Sequence, residues 1–376
     1  MKIVFLRSNP VNPEPRIEKE IDSLDRNGFS TMVYCWDRSS KHKPRCDYLS
    51  INNKNIEITR VGIQSSYGAG FSKNIVPLLK FQIQLFKWLK KYRKEYDAIH
   101  ACDLDTGLIG MICAKIFHKK LVYDIFDYYV DSYNVPSKLK NIVKKLENHV
   151  INNANVTIIC SEKRKEQIRD SHPVRLEIIH NSPNEMDMSK LENKKLKSGR
   201  VKIVYVGTLQ DGRFLKELAE IVMCKKNCEL HVGGFGKNEE YFKRISFENN
   251  NIFFYGKLDY HETLELESSC DLMTAIYDPN IKNHYYAAPN KFYEALMLGK
   301  PVIMIKNTGM SELVEQNKIG KVINYDKQEL SKAIDDLVLE RENWDKISRK
   351  MKKIYQNNFS WKIMEKKLVA LYENRT

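Results

Sequence analysis

The 376-residue chain has no uncharged apolar run approaching the ~18 residues that a membrane-spanning helix needs. No transmembrane segment is therefore expected. Lys2 and Arg7 both fall within the first ten residues and leave no room for the apolar centre of a secretory signal. A cytoplasmic location is the expectation. Eight cysteines, at positions 35, 46, 102, 113, 160, 224, 228 and 270, form no C-x-x-C pair, and several sit inside apolar runs. That is how free buried thiols of a reducing compartment are placed. Histidine and cysteine nowhere cluster at metal-ligand spacing, so no metal centre is expected. Zinc-finger, RRM and KH patterns are missing, which removes the common nucleic-acid modules. Internal repeats and low-complexity tracts are missing too.

What is present is an ordinary hydrophobic fraction of 42% and a length that suits two domains better than one. The net charge of +14 is uneven. Residues 1–183 hold 30 Lys and Arg against 20 Asp and Glu, a balance of +10, which leaves +4 for the rest. A basic first half points to an anionic partner: nucleic acid, anionic lipid or a phosphate-bearing substrate.

Strand and helix patterns alternate. Apolar strands are expected at Lys2–Arg7, Thr31–Trp36, Asp97–Cys102, Lys120–Ile125 and Val156–Cys160, with helices at Glu14–Asn27 and Gly107–Phe117 between them. A linker is expected from His180-Asn-Ser-Pro-Asn184 to Arg200. The pattern then restarts with strands at Val201–Gly207, Glu229–Val232, Ile252–Tyr255, Asp271–Tyr277 and Val302–Ile305. Such alternation implies α/β architecture with doubly wound parallel sheets. The expected domains are 1–183 and 184–358. Residues 359–376 form an amphipathic helix that crosses back to brace the N-terminal domain, with Trp361, Leu368 and Leu371 as anchors. Ligands of such sheets bind at the carboxyl ends of strands, and the cleft between two facing domains is the natural site.

The most informative segment is Ala288-Pro-Asn-Lys-Phe-Tyr-Glu294, which runs on to Ile303. Pro289 suits a first helical turn, and Gly299 and Pro301 stop the helix. A helix N-terminus presents free N–H groups and a positive dipole end, which attract phosphate. Lys291 adds a cation there. Glu294 lies one turn deeper on nearly the same face, where it could hold a ribose. Phe292, Ala295 and Leu296 face the sheet. Elsewhere, Gly207 lets the backbone approach phosphate closely. Gly233-Gly-Phe-Gly236 lacks the third glycine of a dinucleotide fingerprint, and leaves open a ligand-approaching turn or a plain tight one. Asp103-Leu-Asp105 fits a metal-binding D-x-D, a pattern short enough to arise by chance. Phe81–Lys94 is a basic helix whose apolar stripe is Phe81, Leu85, Trp88 and Leu89. The stripe is expected to pack on the sheet, while Lys87, Lys90, Lys91, Arg93 and Lys94 form an exposed edge suited to anionic lipid or an acceptor. Gly68-Ala-Gly70, upstream, is expected to be a mobile loop.

Four stretches together resemble the family 4 glycosyltransferases of the GT-B fold, over nearly the whole chain. They are Pro13-Glu-Pro-Arg16 with Tyr34–Arg38; Ala98–Thr106 with Val122–Tyr129; Tyr205–Arg213; and Ala288–Ile303. The resemblance implies two Rossmann-like domains facing a central cleft. It assigns donor binding to Gly207, Thr208, Arg213, Pro289, Asn290, Lys291 and Glu294, with Glu294 on the ribose and Arg213 on the diphosphate. Tyr286 stands where the family has a further glutamate eight residues before Glu294. It places His100, Asp103, Asp124 and Asp127 near the transferred sugar. Many relatives carry a second histidine at Cys102, and Asp103 is the candidate to replace it. A carboxylate there orients sugar hydroxyls or accepts the acceptor's proton. Arg16 belongs to the acceptor side. The implied reaction moves a sugar, with retention, from a UDP- or GDP-linked donor to a glycan or lipid-linked acceptor in cell-surface polysaccharide assembly. No metal or other cofactor is expected, and no nucleic acid. Two alternatives stay open: a GT-B sugar-nucleotide epimerase, and a non-catalytic nucleotide-sugar-binding subunit.

Overall fold

The computed structural model describes residues 1–65, 71–184 and 199–373. The Gly68-Ala-Gly70 loop and most of the anticipated linker lie outside them. The chain divides into two compact units, residues 1–180 with 364–376, and residues 181–363. The boundaries anticipated at 183/184 and 358/359 fall a few residues away. Among the described residues, no helix is long and apolar enough to cross a membrane.

The first unit is built on β1 (Lys2–Arg7), β2 (Ser30–Asp37), β3 (His42–Ile51), β4 (Lys54–Gly62), β5 (Ala98–Cys102), β6 (Lys120–Ile125), β7 (Val156–Ile159) and β8 (Leu176–Ile178). They form one sheet in the order β3-β4-β2-β1-β5-β6-β7-β8. Every pairing is parallel except that of β3 with β4. Ile3 to Leu6 are fully buried, as an unbroken apolar run must be in a central strand covered on both faces. Val4 and Leu6 join a core with Trp36, Phe81 and Leu85, while Phe5 stacks on His100, centroids 4.3 Å apart. The path β4 to β5 to β6 to β7 always moves the same way across the sheet. Right-handed crossovers therefore put helices 71–91, 103–117 and 137–153 on one face. Helix 15–26 connects β1 to β2 in the opposite direction, on the other face. The C-terminal residues pack there: Glu365 accepts from Arg26 at 2.8 Å and from Asn27 at 3.1 Å.

The second unit holds β9 (Val201–Thr208), β10 (Cys228–Phe235), β11 (Ile252–Phe254), β12 (Leu272–Ala275), β13 (Val302–Ile305) and β14 (Gly320–Ile323). All are parallel, in the order β11-β10-β9-β12-β13-β14. Side chains of β9 alternate between two cores, Ile203 and Tyr205 in one and Val204 and Val206 in the other. Phe292, Ala295 and Leu296 complete the second core. Gly233 and Gly234 lie inside β10 instead of forming a turn, and a Cβ on Gly234 would collide with the Gly207 carbonyl. In each sheet the winding reverses beside the unit's first strand, between β1 and β5 and between β9 and β12. The carboxyl ends of those strands are where ligands of such sheets bind.

Candidate functional site

In the second unit β9 ends at Gly207-Thr208. Gly207 has φ +152°, and a Cβ there would sit 2.6 Å from Lys291 Nζ. The lysine ammonium is thus seated against the backbone of the turn. Its helix spans Asn290–Leu298, and Pro289 is the N-cap with φ −69° and ψ 139°, one step outside the first turn where the sequence placed it. Extended backbone at Pro289 satisfies its fixed φ and leaves the first amides of the helix to Asn290 and Lys291. Lys291 Nζ lies 4.6 Å from the centre of the Tyr205 ring, and Arg213 stacks its guanidinium 3.8 Å over Tyr277. The Tyr205 hydroxyl donates to the Thr208 carbonyl at 2.9 Å. The Asp278 amide donates to the Gly212 carbonyl at 2.9 Å, tying the loop after β9 to the loop after β12.

Among the described residues no carboxylate forms a direct ion pair with Lys291 or Arg213, and Arg213 Nη1 is buried without a hydrogen-bond partner. Burial works against charge on Lys291, but the Tyr205 and Tyr277 phenols, Glu294 and Glu267 outweigh it and hold its pKa up. Glu294 is buried and hydrogen-bonded with the Tyr260 phenol. Glu267 lies nearby, 1% exposed, with both carboxyl oxygens unpartnered among the described residues. Burial and the Glu294 charge push the Glu267 carboxyl well up. Thr208 and Asn290 are exposed, and Asn290 accepts from Asn181 at 3.0 Å. Tyr286 packs edge-on against Tyr285. The sequence did not single out Tyr205, Tyr277, Tyr260 or Glu267. The signal available was an aromatic two residues before Gly207 and another two residues past β12.

In the first unit, Asp103 opens helix 103–117 with φ 59°, a left-handed conformation that aspartate tolerates better than most residues. One carboxylate oxygen accepts from the amides of Phe126 at 2.9 Å and Asp127 at 3.1 Å, and the other from Arg7. The helix begins at Asp103, four residues earlier than the sequence suggested. Burial raises the Asp103 carboxyl to about 6, against the pull of Arg7. Asp127 is the accessible carboxylate here, with 47% of its side chain exposed and Arg164 at 3.2 Å. Asp103 and Asp105 do not form a joint cation site, because Arg7 takes the first and Arg38 the second, at 3.3 Å.

Three expectations need correcting. Arg16 is not on an exposed acceptor face. It is 5% exposed and grips both oxygens of Asp124 at 2.8 Å, with Glu20 at 3.0 Å. The side chain sits in the first turn of helix 15–26, and that helix turns it into the unit. Asp124 and His100 are fully buried, so neither is a contact residue for a sugar. His100 Nδ1 lies 2.7 Å from the Tyr372 hydroxyl, and its Nε2 lies 3.5 Å from Asp124 and 3.6 Å from Glu20. Glu20, His100 and Asp124 bring ligand-type atoms within 4.8 Å of one another. The Arg16 guanidinium already supplies the cation that this group calls for. The rings also connect the two networks: Arg7 and Arg16 each lie 4.2 Å from the centre of Phe126. Lys87, Lys90, Lys91, Arg93 and Lys94 are exposed, and Phe81, Leu85, Trp88 and Leu89 are buried.

Residues 17–184 match the family described as Glycosyltransferase Family 4, and residues 200–340 match Glycosyl transferases group 1. A sucrose-phosphate synthase from Thermosynechococcus elongatus superposes with a TM-score of 0.76 at 17% identity, over 99% of this chain and 98% of that one. HepE from Anabaena, in complex with UDP, superposes with a TM-score of 0.72 at 18% identity, over 99% of both chains. The O-antigen biosynthesis glycosyltransferase WbnH of Escherichia coli is 25% identical over 270 residues, 70% of this chain and 73% of that one. The architecture is therefore the GT-B fold. The chain belongs to the family 4-like glycosyltransferases.

Proposed function

We propose that the second unit binds a nucleotide-diphosphate sugar and that the first unit presents a glycan or lipid-linked acceptor. One observation carries the donor half. Lys291 and Arg213 are held by aromatic faces at the carboxyl ends of β9 and β12, and among the described residues no carboxylate forms a direct ion pair with either. Two cations without a direct carboxylate partner, beside a helix N-terminus, suit a diphosphate, and stabilise it further as it departs with growing negative charge. Glu294 holds the ribose, exchanging the Tyr260 phenol for sugar hydroxyls. UDP in the Anabaena neighbour supports a uridine donor, with GDP as the other choice. The Escherichia coli relative supports a role in cell-surface polysaccharide. Transfer proceeds with retention: the acceptor oxygen bonds to the anomeric carbon as the bond to the diphosphate oxygen breaks, and the acceptor's proton passes to that oxygen. Asp127 orients the acceptor hydroxyl, and Asp103 holds the 126–127 backbone. Because protein cations carry the diphosphate charge, the reading requires no metal.

The test is transfer of labelled sugar from UDP- and GDP-linked donors into a bacterial lipid extract, with and without a chelator. Labelled lipid at a rate unchanged by the chelator is the expected result. Donor binding with no transfer to any acceptor would favour a non-catalytic subunit. Conversion of the donor without acceptor would favour an epimerase.

A further inference from the structure

We infer that Glu267 is a positioning residue of the donor site: it forms with Glu294 a buried carboxyl pair that carries one proton, and the nucleotide binds while Glu267 holds that proton. The inference rests on the donor reading above. Helix Tyr260–Ser269 packs against the helix Asn290–Leu298 that carries Lys291 and Glu294. Tyr260, Leu264 and Glu267 follow one another at spacings of four and three, so they share one side of their helix. That side meets the donor helix. The Tyr260 phenol is hydrogen-bonded with Glu294, and Leu264 joins the core of Phe292 and Leu296. Glu267 completes the row, and among the described residues neither of its buried carboxyl oxygens has a hydrogen-bond partner.

An ionised carboxylate at such depth recruits donors or a paired cation. Two carboxyls that act on each other across a dry helix interface do not both ionise. The charge belongs on Glu294, which has a phenol donor, and the proton on Glu267, which has none. Burial and the Glu294 charge push the Glu267 carboxyl up, and Lys291 pulls the other way. Around Glu267, among the described residues, stand Glu294 and Lys291 on the facing helix and Tyr260 on its own. Tyr355 lies near the Tyr260 phenol, and Lys300 donates to the Ser268 carbonyl at 2.7 Å. From β9, Val204 and Val206 join the core that Leu264 and Leu266 share. A neutral Glu267 serves the donor twice. It leaves Glu294 the charge with which a carboxylate accepts from ribose hydroxyls. It also leaves Lys291 with one carboxylate charge nearby instead of two, so that more of its field reaches a diphosphate. An ionised Glu267 undoes both, and affinity for an anionic nucleotide falls as pH rises and the proton leaves. The sign for stability is the same. A folded carboxyl raised above its ordinary 4.5 stabilises fully below that value, and the contribution is lost as pH rises through the folded value.

The test compares the full chain with Glu267→Gln, which keeps the size and is neutral at every pH, by calorimetric titration with UDP and GDP from about pH 6 to pH 9. The ratio of the wild-type dissociation constant to the variant's cancels titration of the nucleotide itself. It should rise about fivefold or more across that range. Without nucleotide, the melting temperature of the variant minus that of the wild type should grow by about 3 °C or more from pH 5 to pH 8. Glu267→Leu, also neutral, should show both trends and replaces the amide variant if that one does not fold. A constant ratio with a wild type that binds, or a melting difference independent of pH, would overturn the inference and leave the donor reading standing. No binding of either nucleotide at any pH would overturn the donor reading, and the role of Glu267 with it.

Discussion

On the proposed transferase reading, Asp103 acts near the reaction without touching it. Its two oxygens accept three hydrogen bonds, and only 3% of it is exposed. It positions the backbone that carries Asp127. Burial raises its carboxyl from an ordinary 3.8 to about 6, so the two consequences of titration have opposite signs. As pH falls from 7 to 5, the folded chain takes up a proton here that the unfolded chain does not, so this group's contribution to stability rises. It is lost again as pH rises through about 6. Activity runs the other way, because a protonated Asp103 loses its ion pair with Arg7 and weakens its hold on residues 126–127. Initial rates should therefore climb with pH through a midpoint near 6, and Asp103→Asn should flatten that limb, while Asp127→Asn lowers the rate at every pH. An identical pH profile in Asp103→Asn would contradict the positioning role. The residue identities at this end of the sheet were legible from the order of motifs. Their burial was not. Arg16, Asp124 and His100 are polar residues at strand and helix ends, and nothing in their local sequence says which way each side chain turns.

At the scale of elements, the C-terminal segment is tied into the first unit by polar contacts as well as apolar ones. The Tyr372 hydroxyl shares a hydrogen bond with His100 Nδ1 inside a site with no access to water, and Glu365 pairs with Arg26 on helix 15–26. Tyr372→Phe keeps the ring and strips the hydroxyl, leaving a buried imidazole nitrogen without its partner. The expected cost is about 1–2 kcal/mol in denaturant unfolding, whereas Glu365→Gln at the half-exposed Arg26 pair should cost well under 1 kcal/mol. Equal effects would contradict the burial argument. Strands with unbroken apolar runs, such as β1, β9 and β13, were visible in the sequence because burial on both faces forces that composition. The β3–β4 hairpin was not, because β3 is an edge strand whose residues mostly face solvent. Helix 71–91 starts ten residues before the stretch recognised as a helix. It continues through Pro77, a residue that ordinarily signals a break. Helix 137–153 was missed, since its basic exposed side dilutes the apolar period.

At the scale of the molecule, the two units differ in charge. The first carries most of the +14 excess. The second keeps two cations at the ends of its central strands with no direct ion pair among the described residues. The proposed donor side was the more legible of the two, because a helix start, a lysine and a glutamate three residues on have few structural alternatives. What the sequence could not supply was the aromatic support: Tyr205 and Tyr277 come from two strands that only folding brings together. That these supported cations hold a diphosphate is tested most directly by calorimetric titration of the purified chain with UDP and GDP. One site per chain is expected for one of them. Arg213→Ala and Lys291→Ala should each weaken it about tenfold to a hundredfold, and Asp127→Asn should leave it unchanged. No heat of binding with either nucleotide, or wild-type affinity in both cation variants, would contradict the account.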